Sequence, residues 1–271
     1  MNRQSGEGRS TLNNCAFWIC GGKESFYHEA LESATRLSEF MPDLDRFLFC
    51  TEEHPRSRAF GECVKLPSRR GEYWYLDSVI YFNIAFDMLG GYDSMLYLDT
   101  DTYPLAPFPE VFEIMDRYDV AGVMGSRRIT GATAEPIPFT FPEFEIGVTV
   151  FKSNERVKKL LGLWRDLHWQ HPDVYGANDQ RSFREAMWRM VPEGLKILTM
   201  PCEYGLRWPF GSFMSLPVKI LHGRPNSRDI PNSPTIEDVA RIVNEHMEMR
   251  IWSPRTYKWV EGVIPKNYEG K

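Results

Sequence analysis

The sequence predicts an α/β fold: one sheet sandwiched by helices, forming a single domain with a C-terminal extension. Three observations predict it. Short apolar runs alternate along the chain with segments of helical period. Glycine and proline punctuate several of those segments. Two aspartates also stand where one wholly apolar run ends, in "SMLYLDTDTYPL", Ser94 to Leu105. In open α/β sheets the carboxyl ends of strands are where ligands bind.

The elements follow in order. "CAFWIC" reads as a first strand, closed by Gly21 and Gly22. In "SFYHEALESATRLSEFM", Tyr27, Ala30, Leu31, Ala34, Leu37 and Met41 recur near helical spacing, and Pro42 follows. "RFLFC" and "CVKL" are the next strands. "YWYLDSVIYFNIAFDML" is apolar almost all round, as a buried helix is, and Gly90-Gly91 stop it. The strand that carries the aspartates comes next, then a short helix, "PEVFEIMDRY", and two strands, "DVAGVMG" and "FEIGVTVF". "NERVKKLLGLWRDLHWQH" is amphipathic, with Val157, Leu160, Leu161, Trp164 and Leu167 on one face. "NDQRSFREAMW" is a shorter helix that Asn178 caps. "LKILTM" and "PVKIL" are late strands, and "TIEDVARIVNEHM" is a helix of the extension. These readings divide the chain into a disordered start over 1–11, a catalytic domain over 12–225 and a helical extension over 226–271.

Composition narrows the function. The chain is 42% hydrophobic and 25% charged, ordinary for a protein with a sizeable core. A net charge of −5 argues against a general nucleic-acid footprint. The five cysteines form no Cys-x-x-Cys pair, so they read as reduced thiols in a cytoplasmic compartment and suggest no zinc site. The start of the chain lacks the apolar core of a signal peptide, and no apolar run approaches the roughly 18 residues of a membrane span.

Two carboxylates so close at a strand end repel each other and resist desolvation unless a cation joins them. Oxygen ligands suit hard ions, Mg²⁺ or Mn²⁺, which complete their shells with substrate phosphates. That chemistry points to a nucleoside diphosphate. The plain alternative is a turn in which an aspartate caps the next segment. A second element is "VKILHGRP", where His222 ends a strand as a candidate third ligand of the cation beside Asp99 and Asp101, the plain alternative being a structural histidine. There Gly223 admits a phosphate, and Lys219 and Arg224 add positive charge. "PEFEIGVTVF" places Glu143 and Glu145 before Gly147, and "NDQ" places Asp179 and Gln180 at a helix start. Arg69 and Arg70, before the buried helix, are further phosphate candidates.

In this order the segments "MLYLDTDTYPLAPFPEVFE", "FPEFEIGVTVFKSNERVKKLLGLW", "NDQRSFREAM", "LTMPCEYGLRW" and "VKILHGRP" resemble the GT-A nucleotide-diphospho-sugar transferases. The likeness is to the glycogenin-like enzymes and the bacterial capsule and lipopolysaccharide sugar transferases, and it spans most of residues 95 to 225. "FWICGG" fits the family's nucleotide-binding start more loosely. The resemblance implies a Rossmann-like mixed sheet, a UDP- or GDP-sugar donor, and a glycan or lipid-linked acceptor in polysaccharide biosynthesis. It also implies Mn²⁺ held by Asp99, Asp101 and His222. It puts Gly21, Gly22, Asp99 and Gln180 on the donor, with Asp179, Glu145 and Glu143 as acid-base or sugar-orienting groups. It points to retention of configuration, and the residues themselves leave inversion open. Two positions depart from the family pattern. Glu145 stands where Asn is frequent before the strand glycine, and Gly205 stands where Asn is frequent after Glu-Tyr.

Two rivals remain. A haloacid dehalogenase-type phosphatase also uses Asp-x-Asp, but on its first strand, and here Tyr103 occupies the motif's later position. A catalytically inactive nucleotide-sugar or glycan-binding domain would keep the fold without turnover. At the end of the chain Arg250, Trp252, Arg255, Tyr257, Lys258 and Trp259 interleave cations with rings. Packing against the domain is the preferred reading of that end over peripheral membrane contact, because Pro254 interrupts any continuous amphipathic helix.

Overall fold

The computed structural model describes residues 13–67, 74–125, 130–207, 210–224, 235–245, 250–253 and 258–261. Arg69, Arg70, Arg255 and Tyr257 lie outside them.

Strand β1 (Asn14–Cys20) leads into helix α1 (Glu24–Phe40), then β2 (Asp45–Cys50), β3 (Glu62–Lys65), α2 (Trp74–Met88) and β4 (Ser94–Leu98). A short β5 (Thr102–Pro104) and α3 (Glu110–Glu113) precede β6 (Val120–Met124) and β7 (Phe144–Lys152). Next come α4 (Glu155–Gln170), α5 (Pro172–Tyr175), α6 (Asp179–Met190) and β8 (Ile197–Met200). The late elements are β9 (Leu206–Arg207), β10 (Ser212–Met214), β11 (Ile220–His222), α7 (Ile236–Val243), β12 (Arg250–Ser253) and β13 (Lys258–Glu261).

The main sheet runs in the order β3-β2-β1-β4-β7-β6-β8. All its pairings are parallel except the two made by β7, which is antiparallel to both β4 and β6. The sheet is therefore mixed, as expected. The central strands β1 and β4 are apolar and buried almost throughout because both faces of the sheet are covered there, whereas β3 and β8 at its two edges are only partly buried. Successive side chains go to opposite layers: Cys15, Phe17 and Ile19 join one core, while Ala16, Trp18 and Cys20 join the other. The first layer takes α2, α4 and α6. There Phe82 of α2 meets Tyr97 at 4.3 Å and Trp164 at 4.9 Å between ring centroids. The helical face expected of α4 is buried in full: Val157, Leu160, Leu161, Trp164 and Leu167. Asn154 caps that helix, its side chain accepting from Val157 N at 2.9 Å.

The second layer takes α1. Trp18 Nε1 donates to Ser33 Oγ at 3.0 Å, and Ser33 shares a hydrogen bond with Thr102 at 3.0 Å. This buried polar chain locks α1 to the segment just after the aspartates. Thr102 lies on β5, which forms a small sheet in the order β5-β11-β9. The segment read as a helical extension holds the expected helix, α7, and also two strands. Strand β12 pairs with β10, from within 12–225, and with β13, so one sheet joins the extension to the domain.

Candidate functional site

The chain reverses its strand order at β1, whose neighbours are β2 on one side and β4 on the other. The carboxyl ends of β1 and β4 thus open side by side, at a topological switch point. Gly21 follows β1 and Asp99 follows β4. Both line a cavity of about 260 Å³, together with Phe26, Ser78, Asp101, Asp179, Arg207 and Arg224.

Three elements bring the cluster together. The backbone between β4 and β5 turns so that Thr102 N donates to Asp99 O at 3.2 Å. Strand β11 pairs with β5, with His222 opposite Thr102, and Gly223 N donates to Asp101 O at 2.8 Å. Gly223 has φ 116°, a conformation that favours glycine. As a result His222 Nε2 lies 3.2 Å from Asp99 Oδ2 and 3.5 Å from Asp101 Oδ1. One ligand atom from each of the three residues falls within 4.8 Å of the others. The third contribution is Gly147 on β7. A Cβ there would collide with the Asp99 carboxylate and the His222 ring. Only a bare backbone lets the two side chains meet over the strand.

The electrostatics are uneven. Burial pushes the Asp101 carboxyl up, but the bond and charge of His222, with Arg224 and Arg207, outweigh it and hold it well below the usual carboxylate range. Burial and Arg207 push His222 down, while the two aspartates prevail and raise it. Tyr97 donates to Asp99 Oδ1 at 2.7 Å, and burial followed by the Asp99 charge raises its hydroxyl far above the ordinary value. Asp179 behaves oppositely to Asp101. Burial, then the negative charge of Asp99, push it up to about 7, against a 3.4 Å bond from Ser78 Oγ. Two carboxylates and an imidazole, cradled where no Cβ fits, form a donor set suited to a divalent cation of the Mg²⁺–Mn²⁺ type.

The other expected residues separate into groups. Arg224 is held firmly: Nε and Nη2 bind Glu29 at 2.6 and 2.7 Å, and Nη1 lies 3.1 Å from Asp101 Oδ2. Gln180 donates from Nε2 to Glu145 Oε2 at 2.9 Å, and its backbone N is capped by Asn178 at 3.1 Å. Gly22, at φ 88°, turns the chain after β1. Six of the expected residues, Gly22, Glu143, Glu145, Gln180, Lys219 and His222, are not among the residues that line the cavity, though His222 joins the cluster through Asp99 and Asp101. Lys219 donates to Pro107 O at 2.9 Å and is not among the residues that line the cavity. Glu143 is also absent from the lining. It is buried, and Thr130 donates to its Oε1 from N at 3.1 Å and from Oγ1 at 2.7 Å. Glu143 precedes the first residue of β7, so the alternation that would align it with Glu145 does not reach it. Burial outweighs the Thr130 bonds and raises its carboxyl. Gly205, one of the departures from the family pattern, packs closely: a Cβ there would stand 3.1 Å from Val123 Cγ2, leaving an Asn little room.

Sequence reasoning missed Arg207, Tyr97 and Glu29. Tyr97 reads as one more apolar position of a strand. Arg207 and Glu29 reach the site through the β9–β11 register and through the packing of α1, neither of which a periodicity displays.

No protein-family model matches the chain, and no curated protein sequence does. Among solved structures, the chain is similar to mouse xyloside xylosyltransferase 1 in its apo form, with 14% identity and a TM-score of 0.55 over 82% of this chain and 99% of that one. It is also similar to an active-site mutant of LgtC, with 11% identity and a TM-score of 0.56 over 77% of this chain and 86% of that one. The likeness bears out the expected α/β fold of GT-A type, its mixed sheet flanked by helices.

Proposed function

We propose that the chain is a glycosyltransferase that moves a sugar from a UDP- or GDP-sugar to a hydroxyl of a glycan or lipid-linked acceptor. The observation that carries this reading is the Asp99–Asp101–His222 cluster over Gly147, at the switch point of a fold shared with a xylosyltransferase. The three residues would hold Mn²⁺ or Mg²⁺. Such an ion supplies Lewis-acid stabilisation of the charge that a diphosphate gains as it leaves. Arg224, fixed by Glu29, opposes the same charge from beside Asp101. Gly21, at the end of β1, lets the donor approach the backbone.

Asp179 is the one expected catalytic carboxylate that lines the cavity. Burial and then the charge of Asp99 raise its carboxyl to about 7, and a cation on Asp99 would take away part of that shift, which suits it to orient a sugar hydroxyl as an acceptor. Glu145 is engaged by Gln180 and acts through it. We favour retention, with the leaving phosphate receiving the acceptor's proton while Asp179 and Gln180 orient the sugar. The five free cysteines suit a cytoplasmic compartment. Among the described residues, no helix is long and apolar enough to cross a membrane.

The test is donor turnover. With Mn²⁺ the protein is expected to hydrolyse one UDP- or GDP-sugar slowly and to release no phosphate from simple esters. Release of phosphate from esters would favour the phosphatase reading. Tight nucleotide-sugar binding with neither hydrolysis nor transfer to any acceptor offered would favour the inactive binding domain.

A further inference from the structure

Strand β9 is two residues long, and it pairs in parallel with β11 so that Arg207 stands opposite His222. Residues opposite each other on paired strands project from the same face. This pairing brings a guanidinium into the cavity beside the Asp99–Asp101–His222 cluster.

Two arginines among the described residues line the cavity, and they differ in how they are satisfied. Arg224 has its fork filled by Glu29, at 2.6 and 2.7 Å, and reaches Asp101 at 3.1 Å. Arg207 stands near two carboxylates and is bonded to neither. Its Nη1 is 3.8 Å from Asp101 Oδ2, its Nε is 4.0 Å from Glu145 Oε2, and both nitrogens are buried with no hydrogen-bond partner. Those separations allow ion-pair attraction and exceed hydrogen-bond reach. The carboxylates have other commitments: Glu145 accepts from Gln180, and Asp101 faces Arg224 and His222. A guanidinium has donors only, and leaving them unmet in a buried site is unfavourable.

We propose that Arg207 is an anion-binding residue of this cavity, taking charged oxygens of the bound donor. Those oxygens belong either to the leaving diphosphate or to a carboxylate on the transferred sugar. The proposal rests on the nucleotide-sugar reading and deepens it: a neutral sugar's hydroxyls are served by the acceptor Asp179, which lines the cavity, whereas Arg207 calls for negative charge. Its position between Asp101 and Glu145 lets a ligand oxygen complete the bonds that neither carboxylate makes.

The experiment is calorimetric titration, in Mn²⁺, of the wild type, Arg207→Gln and Arg207→Lys with inorganic diphosphate, UDP, GDP, UDP-glucose and UDP-glucuronate. Each titration is run below the variant's melting temperature. Arg207→Gln is expected to weaken the charged ligand on the order of tenfold or more, with Arg207→Lys between it and the wild type. A loss shared by diphosphate and UDP assigns the contact to the leaving group, and a loss confined to UDP-glucuronate assigns it to a sugar carboxylate. Undiminished binding of every probe by Arg207→Gln overturns the proposal and leaves the nucleotide-sugar reading intact. A wild type that binds inorganic diphosphate but no nucleotide contradicts that reading, and a loss of diphosphate in Arg207→Gln then still supports the role of Arg207. A wild type that binds no probe overturns both.

Discussion

Asp119 and Asp101 are both buried aspartates at strand ends, and their surroundings differ sharply. Asp119 precedes β6, at the end of the strands away from the cavity. It accepts from Asn154 Nδ2 at 2.7 Å, from Lys196 N at 2.9 Å and from Arg156 at 3.0 and 3.2 Å. Burial alone would raise its carboxyl, but the bonds from Arg156, Lys196 and Asn154 lower it. The result is a closed knot that ties β6, α4 and β8 together. Asp101 follows β4 at the opposite end of the strands, with a second carboxylate, an imidazole and an incompletely bonded arginine around it. A saturated carboxylate holds structure together. An unsaturated cluster that the backbone has been shaped to assemble is available for a ligand.

Exchanging each aspartate for asparagine should break this comparison most visibly. Asp101→Asn is expected to lower transfer by about three orders of magnitude, the worth of several kcal/mol of charge stabilisation, in a protein that still folds. Asp119→Asn is expected to do the reverse. Arg156 is half exposed, so removing its partner leaves a charge that water can solvate, and the loss should be about 2–3 kcal/mol of stability with turnover kept below the melting point. Thermal melts and donor hydrolysis on both variants check the pair. An Asp119→Asn protein that folds as well as wild type would dissolve the distinction.

Gly147→Ala sharpens it. The new Cβ meets Asp99 and His222, so the cluster must spread. Overpacking of this kind typically destabilises by about 1–3 kcal/mol, and Mn²⁺ affinity should fall with it. An alanine variant whose Mn²⁺ affinity is unchanged, read by electron paramagnetic resonance, would show that the cradle is not required.

A smaller effect comes from pH. The folded-state pKa of Asp179 is raised from 3.8 to about 7, so the native protein binds more protons than the unfolded chain between those values. Its contribution therefore erodes stability as pH rises through that window and levels off above it. Asp119 and Asp101, both lowered, contribute in the opposite sense: their stabilisation is full above the unfolded value and is lost as pH falls through the folded one. Asp179→Asn should accordingly raise the melting temperature more at pH 8 than at pH 4, and saturating Mn²⁺ should shrink that gain by neutralising Asp99. A gain that is equal at both pH values would contradict the assignment. The smallest effect is expected at Lys219, which bonds a backbone carbonyl away from the cavity. Lys219→Gln should leave donor turnover within about twofold, a change of under half a kcal/mol.

How much of this was legible in the sequence follows element length. Strands β1 and β4 and helix α4 carry enough residues for an apolar run or a helical stripe to show, and the aspartates at the end of β4 could be read from that alone. Strands β5, β9 and β11 have two or three residues, too few for any period, yet their pairing sets Thr102, Arg207 and His222 side by side. His222 was found because its neighbours Gly223 and Arg224 suggest a ligand-binding turn, whereas Arg207 has no such context. Lys219 looked equivalent to Arg224 because both flank His222 in sequence. The β11 backbone sends one to Pro107 and the other to Asp101.

The most direct test of the account is calorimetric titration of the wild type and Asp101→Asn with UDP and GDP, each in Mn²⁺ and again in excess chelator. The account predicts that one nucleotide binds the wild type in Mn²⁺, that chelator weakens it at least tenfold, and that the variant is weak in both conditions at a temperature where it is folded. Nucleotide binding that is equally strong in chelator, or in the folded Asp101→Asn protein, would contradict the claim that this cluster holds a cation for a nucleoside diphosphate.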